Sequence, residues 1–176
     1  ARDHTRAGEY RAALRLLDER DGALPDGDPR LSQSWLLRGR LALLRGELGA
    51  MQVWSRRCQG LTGKLGVRAE LLEAARLRAE GDLDQAAEHV QTALTQASVL
   101  GDNDLISRCL YEVGVTSRRA GDLERAVRAL DAALLRAPES DWAPRTWLNL
   151  ATCNLQLERY ERTLECLDRA RNDIGY

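Results

Sequence analysis

The chain has 176 residues, and its 26 basic and 27 acidic side chains give a net charge of −1. This balance excludes a global field that would recruit nucleic acid or an anionic membrane. There is no Phe and only one Met, and most apolar residues are Leu and Ala, which favour helices, so the composition favours an all-α fold.

In chain order, a triplet of Gly, an acidic residue and an apolar residue recurs and predicts turns between paired helices. It begins at Gly8, Gly46, Gly81 and Gly121, and a version without glycine begins at Glu158. Gly suits the left-handed backbone that ends a helix, and the acid suits the positive N-terminus of the next one. Successive turns are 35 to 40 residues apart, a period typical of helical-repeat arrays.

Small and large residues keep fixed distances from these turns. After Gly121, the sequence continues through Ala126, Leu130 and Ala133 to Pro138, and similar residues follow Gly81. Small residues lie seven positions before four of the turns, at Gly39, Ala74, Gly114 and Ala151. We expect them to let the paired helices approach closely.

The pattern predicts a partial repeat followed by four full ones in a single domain over 1–176. The predicted repeats are 1–24 (partial), 31–62, 65–100, 102–138 and 141–174, with a loop at 22–30. The predicted helices are 9–21, then the pairs 31–45 with 47–59, 67–80 with 82–99, 103–120 with 122–137, and 142–157 with 159–173. No polar capping helix follows Ile174, so we expect the sequence to be one region of a longer protein.

These residues resemble the tetratricopeptide repeat family, whose pattern is a Trp, a small residue, a Gly turn, Ala, an aromatic residue or Leu, Ala and then Pro. The resemblance covers essentially the whole chain and is closest over 102–138 and 141–173. It implies a right-handed superhelix of helical hairpins with about four and a half repeats. It also implies a non-enzymatic scaffold that binds an extended peptide or a partner helix.

In that family the first helix of each pair lines a concave groove. The corresponding positions of 31–62 are Gln33, Leu36, Leu37 and Arg40. The predicted peptide-binding residues are Arg68, Leu72, Arg78, Arg108, Tyr111, Arg118, Arg145, Leu148, Asn149 and Thr152. Arg68, Arg108 and Arg145 share one position, and guanidinium groups bind carboxylates in bidentate fashion, so we expect an acidic partner. The alternative is that an Arg-rich chain places these side chains on a solvated face.

Other functions remain open at this point. The segment 97–102 resembles the helical repeats of large bacterial transcriptional regulators of the maltose-regulator and antibiotic-regulator families. That would imply a region for ligand sensing or self-assembly, with a DNA-binding domain elsewhere. RNA binding is a further alternative that the charge balance disfavours. A small ligand could also occupy the groove, and the sequence leaves the oligomeric state open.

No motif predicts catalysis, a cofactor or a metal. The segment 60–65 lacks both the first Gly and the final Ser/Thr of a phosphate-binding loop. His4 and His89 have no partner at the spacing of a metal site or a catalytic dyad. Without any CxxC pair, we expect reduced thiols packed between helices in a cytoplasmic protein, at Cys58, Cys109, Cys153 and Cys166. No apolar run approaches the roughly 18 residues of a membrane span, and the preference for Arg over Lys indicates a bacterial source.

Overall fold

The computed structural model describes residues 2–174, and the side chains of residues 8–172. Within this range it contains nine α-helices and no strand. Their bounds are α1 (Arg2–Gly22), α2 (Pro29–Arg45), α3 (Leu48–Arg57), α4 (Gly63–Glu80), α5 (Leu83–Leu100), α6 (Asn103–Arg119), α7 (Leu123–Arg136), α8 (Ala143–Gln156) and α9 (Tyr160–Ile174). The all-α prediction is confirmed, and α2 to α9 form four hairpins at the predicted places.

The turns inside these hairpins have the backbone that the triplets predict. Gly46, Gly81 and Gly121 have φ angles of 70°, 92° and 84°, in the left-handed region that favours glycine. At two of these turns the acidic residue after the glycine caps the second helix: Asp82 accepts a hydrogen bond from the backbone of Gln85, and Asp122 from that of Arg125. Glu47 occupies the same position without such a bond. The fifth turn also forms, with Glu158 at a φ of 58°.

The turn predicted at Gly8 is wrong. Helix α1 runs without a break from Arg2 to Gly22, and Gly8 lies within it. A glycine inside a helix costs only about 1 kcal/mol relative to alanine, which good helix formers on both sides outweigh. A hairpin also needs a preceding helix with an apolar face, and the sequence Ala1–Ala7 supplies no apolar stripe.

The hairpins stack so that their first helices lie on the inner side of the array. By proximity of Cα atoms within 8 Å, α2 contacts α4, α4 contacts α6, and α6 contacts α8. In the described part of the chain, no second helix approaches the next second helix in this way. An array whose first helices are closer together than its second helices curves toward the first helices. The result is a solenoid with a concave face formed by α2, α4, α6 and α8.

Three clusters of buried residues hold neighbouring hairpins together. The first, around Leu36 and Leu72, joins α2, α3 and α4, and the second, around Val67 and Ile106, joins α4, α5 and α6. The third, around Leu130 and Leu150, joins α7, α8 and α9. Each cluster spans more than one hairpin, as expected for an array that is stable only when stacked.

Small residues and cysteines occupy the tightest places between the helices. A methyl group added to Gly114 would lie 2.5 Å from Cγ of Leu130, so α6 and α7 approach as closely as the small residues predict. The four cysteines are free and buried, and burial raises the pKa of the Cys58 thiol to about 11. Among the described helices, none is both long and apolar enough to cross a membrane.

Candidate functional site

The concave face contains a cleft of about 420 Å³ between α2, α4 and α6. Its walls are apolar and come from the inward stripes of these helices, including Leu37, Leu71, Leu72 and Leu105. Its mouth carries charged and polar side chains. The arginines among them are Arg40, Arg68 and Arg108.

The cleft is formed by side chains that lie along the inward-facing stripe of each first helix. Residues three and four apart lie on one helix face, so Gln33, Leu37 and Arg40 follow one another along α2. Leu72 is buried beneath the cleft, whereas Leu37 is 43% exposed at its rim. An apolar floor and a polar rim therefore lie side by side on the same surface.

A buried carboxylate at the cleft joins two first helices. Glu112, which is 4% exposed, accepts a hydrogen bond from Nη2 of Arg78 at 2.9 Å through Oε2 and pairs with Nη2 of Arg108 at 2.7 Å through Oε1. The Nη1 group of Arg78 also donates to Oγ1 of Thr116 at 3.0 Å. A buried carboxylate requires such partners. Arg78 thus holds α4 against α6, and Arg108 pairs with the same carboxylate from within α6.

Trp142, the residue directly before α8, is surrounded by three guanidinium groups. The Cζ atoms of Arg108, Arg40 and Arg145 lie 3.4, 5.6 and 6.0 Å from the centroid of its ring. The ring of Tyr111 stacks with that of Trp142, with 6.4 Å between the ring centroids. Arg40 belongs to α2 and Arg145 to α8, so side chains from two helices without a backbone contact among the described residues approach the same indole ring.

The guanidinium groups around Trp142 differ in their charge balance. Burial lowers the pKa of Arg108, and the neighbouring cations Arg40 and Arg145 add to this effect, whereas Glu112 opposes it. Arginine nevertheless stays protonated at neutral pH. Within residues 8–172, the guanidinium groups of Arg40 and Arg145 form no ion pair. The other carboxylate at the cleft is that of Asp104.

The predicted site residues fall into five groups in the structure. Arg68, Leu72 and Arg108 line the cleft, and Arg78 pairs with Glu112, which lines it too. Tyr111, Arg145 and Asn149 gather near Trp142, where Nδ2 of Asn149 lies 3.5 Å from the hydroxyl of Tyr111 and 2.9 Å from the carbonyl of Arg145. Leu148 and Thr152 are exposed further along α8, and Arg118 is half-buried on α6.

One residue of the site escaped the sequence-based prediction. Trp142 precedes α8 and therefore has no place among the helical positions that define the groove. Arg40 was found, because it occupies in α2 the position that Ala75 occupies in α4. No signal in the sequence alone indicates that Trp142 meets Arg40, since 101 intervening residues separate them.

The histidine of α5 lies outside the candidate site. His89 pairs with Glu70 through Nδ1 and Oε2 at 2.6 Å, between α4 and α5 and away from the cleft. In the part of the chain that the structure describes, no group of three or more His, Cys, Asp or Glu side chains is placed to hold a metal ion.

Stacked helical hairpins around an inner groove define this chain as a tetratricopeptide-like solenoid, and solved structures of low identity share this fold. A Rap protein complexed with competence and sporulation factor superimposes with a TM-score of 0.85 at 16% identity, over 96% of this chain and 50% of that one. BtubC (BKLC) from P. vanneervenii superimposes with a TM-score of 0.71 at 18% identity, over 98% of this chain and 77% of that one. The predicted solenoid is confirmed by these likenesses.

Sequence comparison adds one partial relative. The chain is 37% identical over 81 residues to the outer membrane protein assembly factor BamD of Pasteurella multocida (strain Pm70). The match covers 44% of this chain and 31% of that protein, and the chain spans half the length of the Rap protein. No protein-family model matches the sequence.

Proposed function

We propose that this chain is a non-enzymatic scaffold that binds an extended polypeptide in its concave groove. The observation that carries the proposal is the cleft between α2, α4 and α6, in which an apolar floor and a cationic rim face the inner side of the array. Extended peptides bind in this way when side-chain pockets supply affinity and charged groups supply orientation. A Rap protein of the same fold has been seen in complex with competence and sporulation factor, which supports the use of this fold for binding.

The proposed partner is acidic. Arg40 and Arg145 have no ion-pair partner among the described residues, and Arg40 and Arg68 line the cleft. Association through such side chains weakens with added salt, because ions screen the charges over about 10 Å at 0.1 M. Peptides selected for binding should therefore be enriched in Asp and Glu, and their affinity should fall between low and moderate ionic strength.

A pair of matched substitutions tests whether the groove is the binding surface. Peptides would be selected from a random display library on the wild-type chain, and their affinities measured by fluorescence anisotropy. Leu37→Asp places a carboxylate at the rim of the cleft and should weaken binding by about tenfold or more, through lost apolar contact and charge repulsion. Leu135→Asp is the control, since Leu135 is 85% exposed on the second helix α7.

The two variants distinguish binding in the concave groove from binding on another surface of the protein. Circular dichroism must first show that both retain the helix content of the wild type. Equal binding by Leu37→Asp and the wild type, or a failure of the library to yield any binding peptide, would contradict the proposal. Weaker binding by Leu135→Asp alone would place the binding surface on the convex side.

The alternative, a sensor or oligomerisation region of a bacterial transcriptional regulator, concerns the context of the groove. It predicts a helix-turn-helix or nucleotide-binding region in the parent sequence. The proposal also includes a cytoplasmic location, supported by four free and buried cysteines. Cell fractionation with an antibody to the full-length protein tests that location.

A further inference from the structure

We infer that the groove selects a polypeptide segment with a large apolar residue two positions from an acidic residue. The apolar side chain enters the cleft between α2, α4 and α6, and the carboxylate binds between Arg40 and Arg145 at the ring of Trp142. This inference rests on the proposed function, which it makes specific, because it names the chemistry of the bound segment.

The cleft fits an apolar side chain. Its volume of about 420 Å³ lies within the range of pockets that enclose ligands. Leu71, Leu72 and Leu105 form its walls, and each is less than 10% exposed. They leave a concave apolar surface open to the groove, and a branched or aromatic side chain would remove that surface from water.

The position of the carboxylate follows from the charges around Trp142. Arg108 covers the indole at 3.4 Å and already pairs with Glu112. Arg40 and Arg145 lie farther from the ring, at 5.6 and 6.0 Å, and neither forms an ion pair within the described residues. Because both guanidinium groups lie within about 6 Å of the same ring centroid, one carboxylate beside the ring would neutralise their charge and accept charge-assisted hydrogen bonds from them.

The spacing follows from the shape of an extended chain. The apolar cleft adjoins the guanidinium groups around Trp142, because Arg40 and Trp142 themselves line the cleft. In an extended segment, side chains two positions apart point to the same side and lie about 7 Å apart. Neighbouring residues point to opposite sides, so one of them would face away from the groove.

The experiment uses a peptide array on a background of Ala and Ser. One Leu and one Asp are placed in each peptide, in both orders, at separations from one to four positions. The affinity of the 176-residue protein for each peptide is measured in solution by fluorescence anisotropy. A separation of two positions in one of the two orders should bind most tightly. Replacing either Leu by Ala or Asp by Asn in that peptide should weaken binding by about tenfold.

Protein variants assign the carboxylate to its partners. Arg40→Gln and Arg145→Gln should each weaken binding of the Leu/Asp peptide and leave binding of the Leu/Asn peptide nearly unchanged. Arg128→Gln is the matched control, because Arg128 is exposed on α7 and lies outside the cleft. The inference is overturned if Asp→Asn in the peptide has the same effect on the wild type and on both variants, or if separation has no influence.

The result separates this inference from the proposed function. If separation has no influence but Leu37→Asp still prevents binding, the groove remains the binding surface and the inferred motif fails. If Leu37→Asp and the wild type bind the array equally, the groove itself fails, and the inference fails with it. Coupling of the peptide Asp to Arg40 and Arg145, together with sensitivity to Leu37→Asp, supports both.

Discussion

Glu158 stands in the left-handed backbone region where three equivalent turns have glycine. Its φ of 58° carries a side chain into a conformation that costs about 1–2 kcal/mol for an L-residue. Glycine removes this strain but has more freedom to lose on folding, which offsets part of the gain. We expect Glu158→Gly to raise the free energy of unfolding by about 0.5–1 kcal/mol.

Urea denaturation followed by circular dichroism measures this change. Glu161→Gly, in the first turn of α9, is the control and should lower stability, because that position is helical. A Glu158→Gly variant less stable than the wild type would contradict the strain argument.

Glu73 links the pH dependence of stability to the contact between α3 and α4. Arg76 donates a hydrogen bond to its carboxylate from Nε at 2.9 Å, and the hydroxyl of Ser55 on α3 donates another. The hydrogen bond from Arg76 is the main cause that lowers the pKa of Glu73, the bond from Ser55 adds to it, and burial opposes both. The ionised form is therefore the one that the folded state favours.

The sign of the pH effect follows from this lowered pKa. The contribution of Glu73 is fully present above the pKa of an unfolded glutamate, about 4.3, and is lost as the pH falls through the folded pKa. Glu73→Gln should reduce the free energy of unfolding by about 1.5 kcal/mol near neutral pH. The difference from the wild type should shrink toward zero in the acid range. Urea titrations across the pH series test this, and a constant difference would count against it.

At the scale of helices, close packing depends on small residues. Gly114 of α6 lies against Leu130 of α7, and an added methyl group would also lie 3.2 Å from the carbonyl oxygen of Ala126. Gly114→Val should overpack this contact and lower the free energy of unfolding by about 1–3 kcal/mol, although valine is a better helix former than glycine. Thermal unfolding followed by circular dichroism measures the effect.

Gly49 offers the matched control. It lies in α3 with nothing within 4 Å of the added methyl position. Gly49→Ala should therefore leave stability unchanged or raise it by up to about 1 kcal/mol. If Gly114→Val were as stable as the wild type, α6 and α7 would have room to separate, and the close-packing argument would be wrong.

The sequence predicted a helical hairpin correctly wherever a turn triplet followed a helix with an apolar stripe. Gly46, Gly81 and Gly121 each follow a helix with an apolar face, and each ends that helix as predicted. Gly8 carries the same triplet but follows a segment without such a face, and it lies inside a helix. A local signal for a turn therefore forms a hairpin only when the helix before it has a surface to bury.

The site was only partly predictable, because its centre depends on tertiary approach. Helical position identified Arg40, Arg108 and Arg145 as residues of the inner face. The pair of Arg108 with Glu112 follows from their spacing of four residues on α6. Helical position could not show that Arg78 reaches the same carboxylate, since this depends on the distance between stacked helices. Helical position could not identify Trp142 either, because the stacking of several hairpins brings it to Arg40.

At the scale of the whole molecule, stability is distributed unevenly along the array. The cluster that joins α2, α3 and α4 has three buried members, whereas the other two clusters have seven and eight. In repeat arrays each hairpin contributes its own stability and an interface with its neighbours. The hairpin of α2 and α3 is therefore expected to open at a lower free energy than α6 and α7. Since α2 supplies Leu37 and Arg40, the hairpin that we expect to open first supplies one wall of the cleft.

Native-state hydrogen exchange with mass spectrometry tests this distribution directly. Amides of α2 and α3 should exchange faster than those of α6 and α7 in the wild type. Leu130→Ala removes a fully buried side chain from the third cluster and should cost about 2–5 kcal/mol. Because the clusters are separate, this loss should lower protection in α6 to α9 and leave α2 and α3 nearly unchanged. Equal loss of protection in every helix would instead mean that the array unfolds as one cooperative unit, and that peptide binding at the cleft stabilises all four hairpins together.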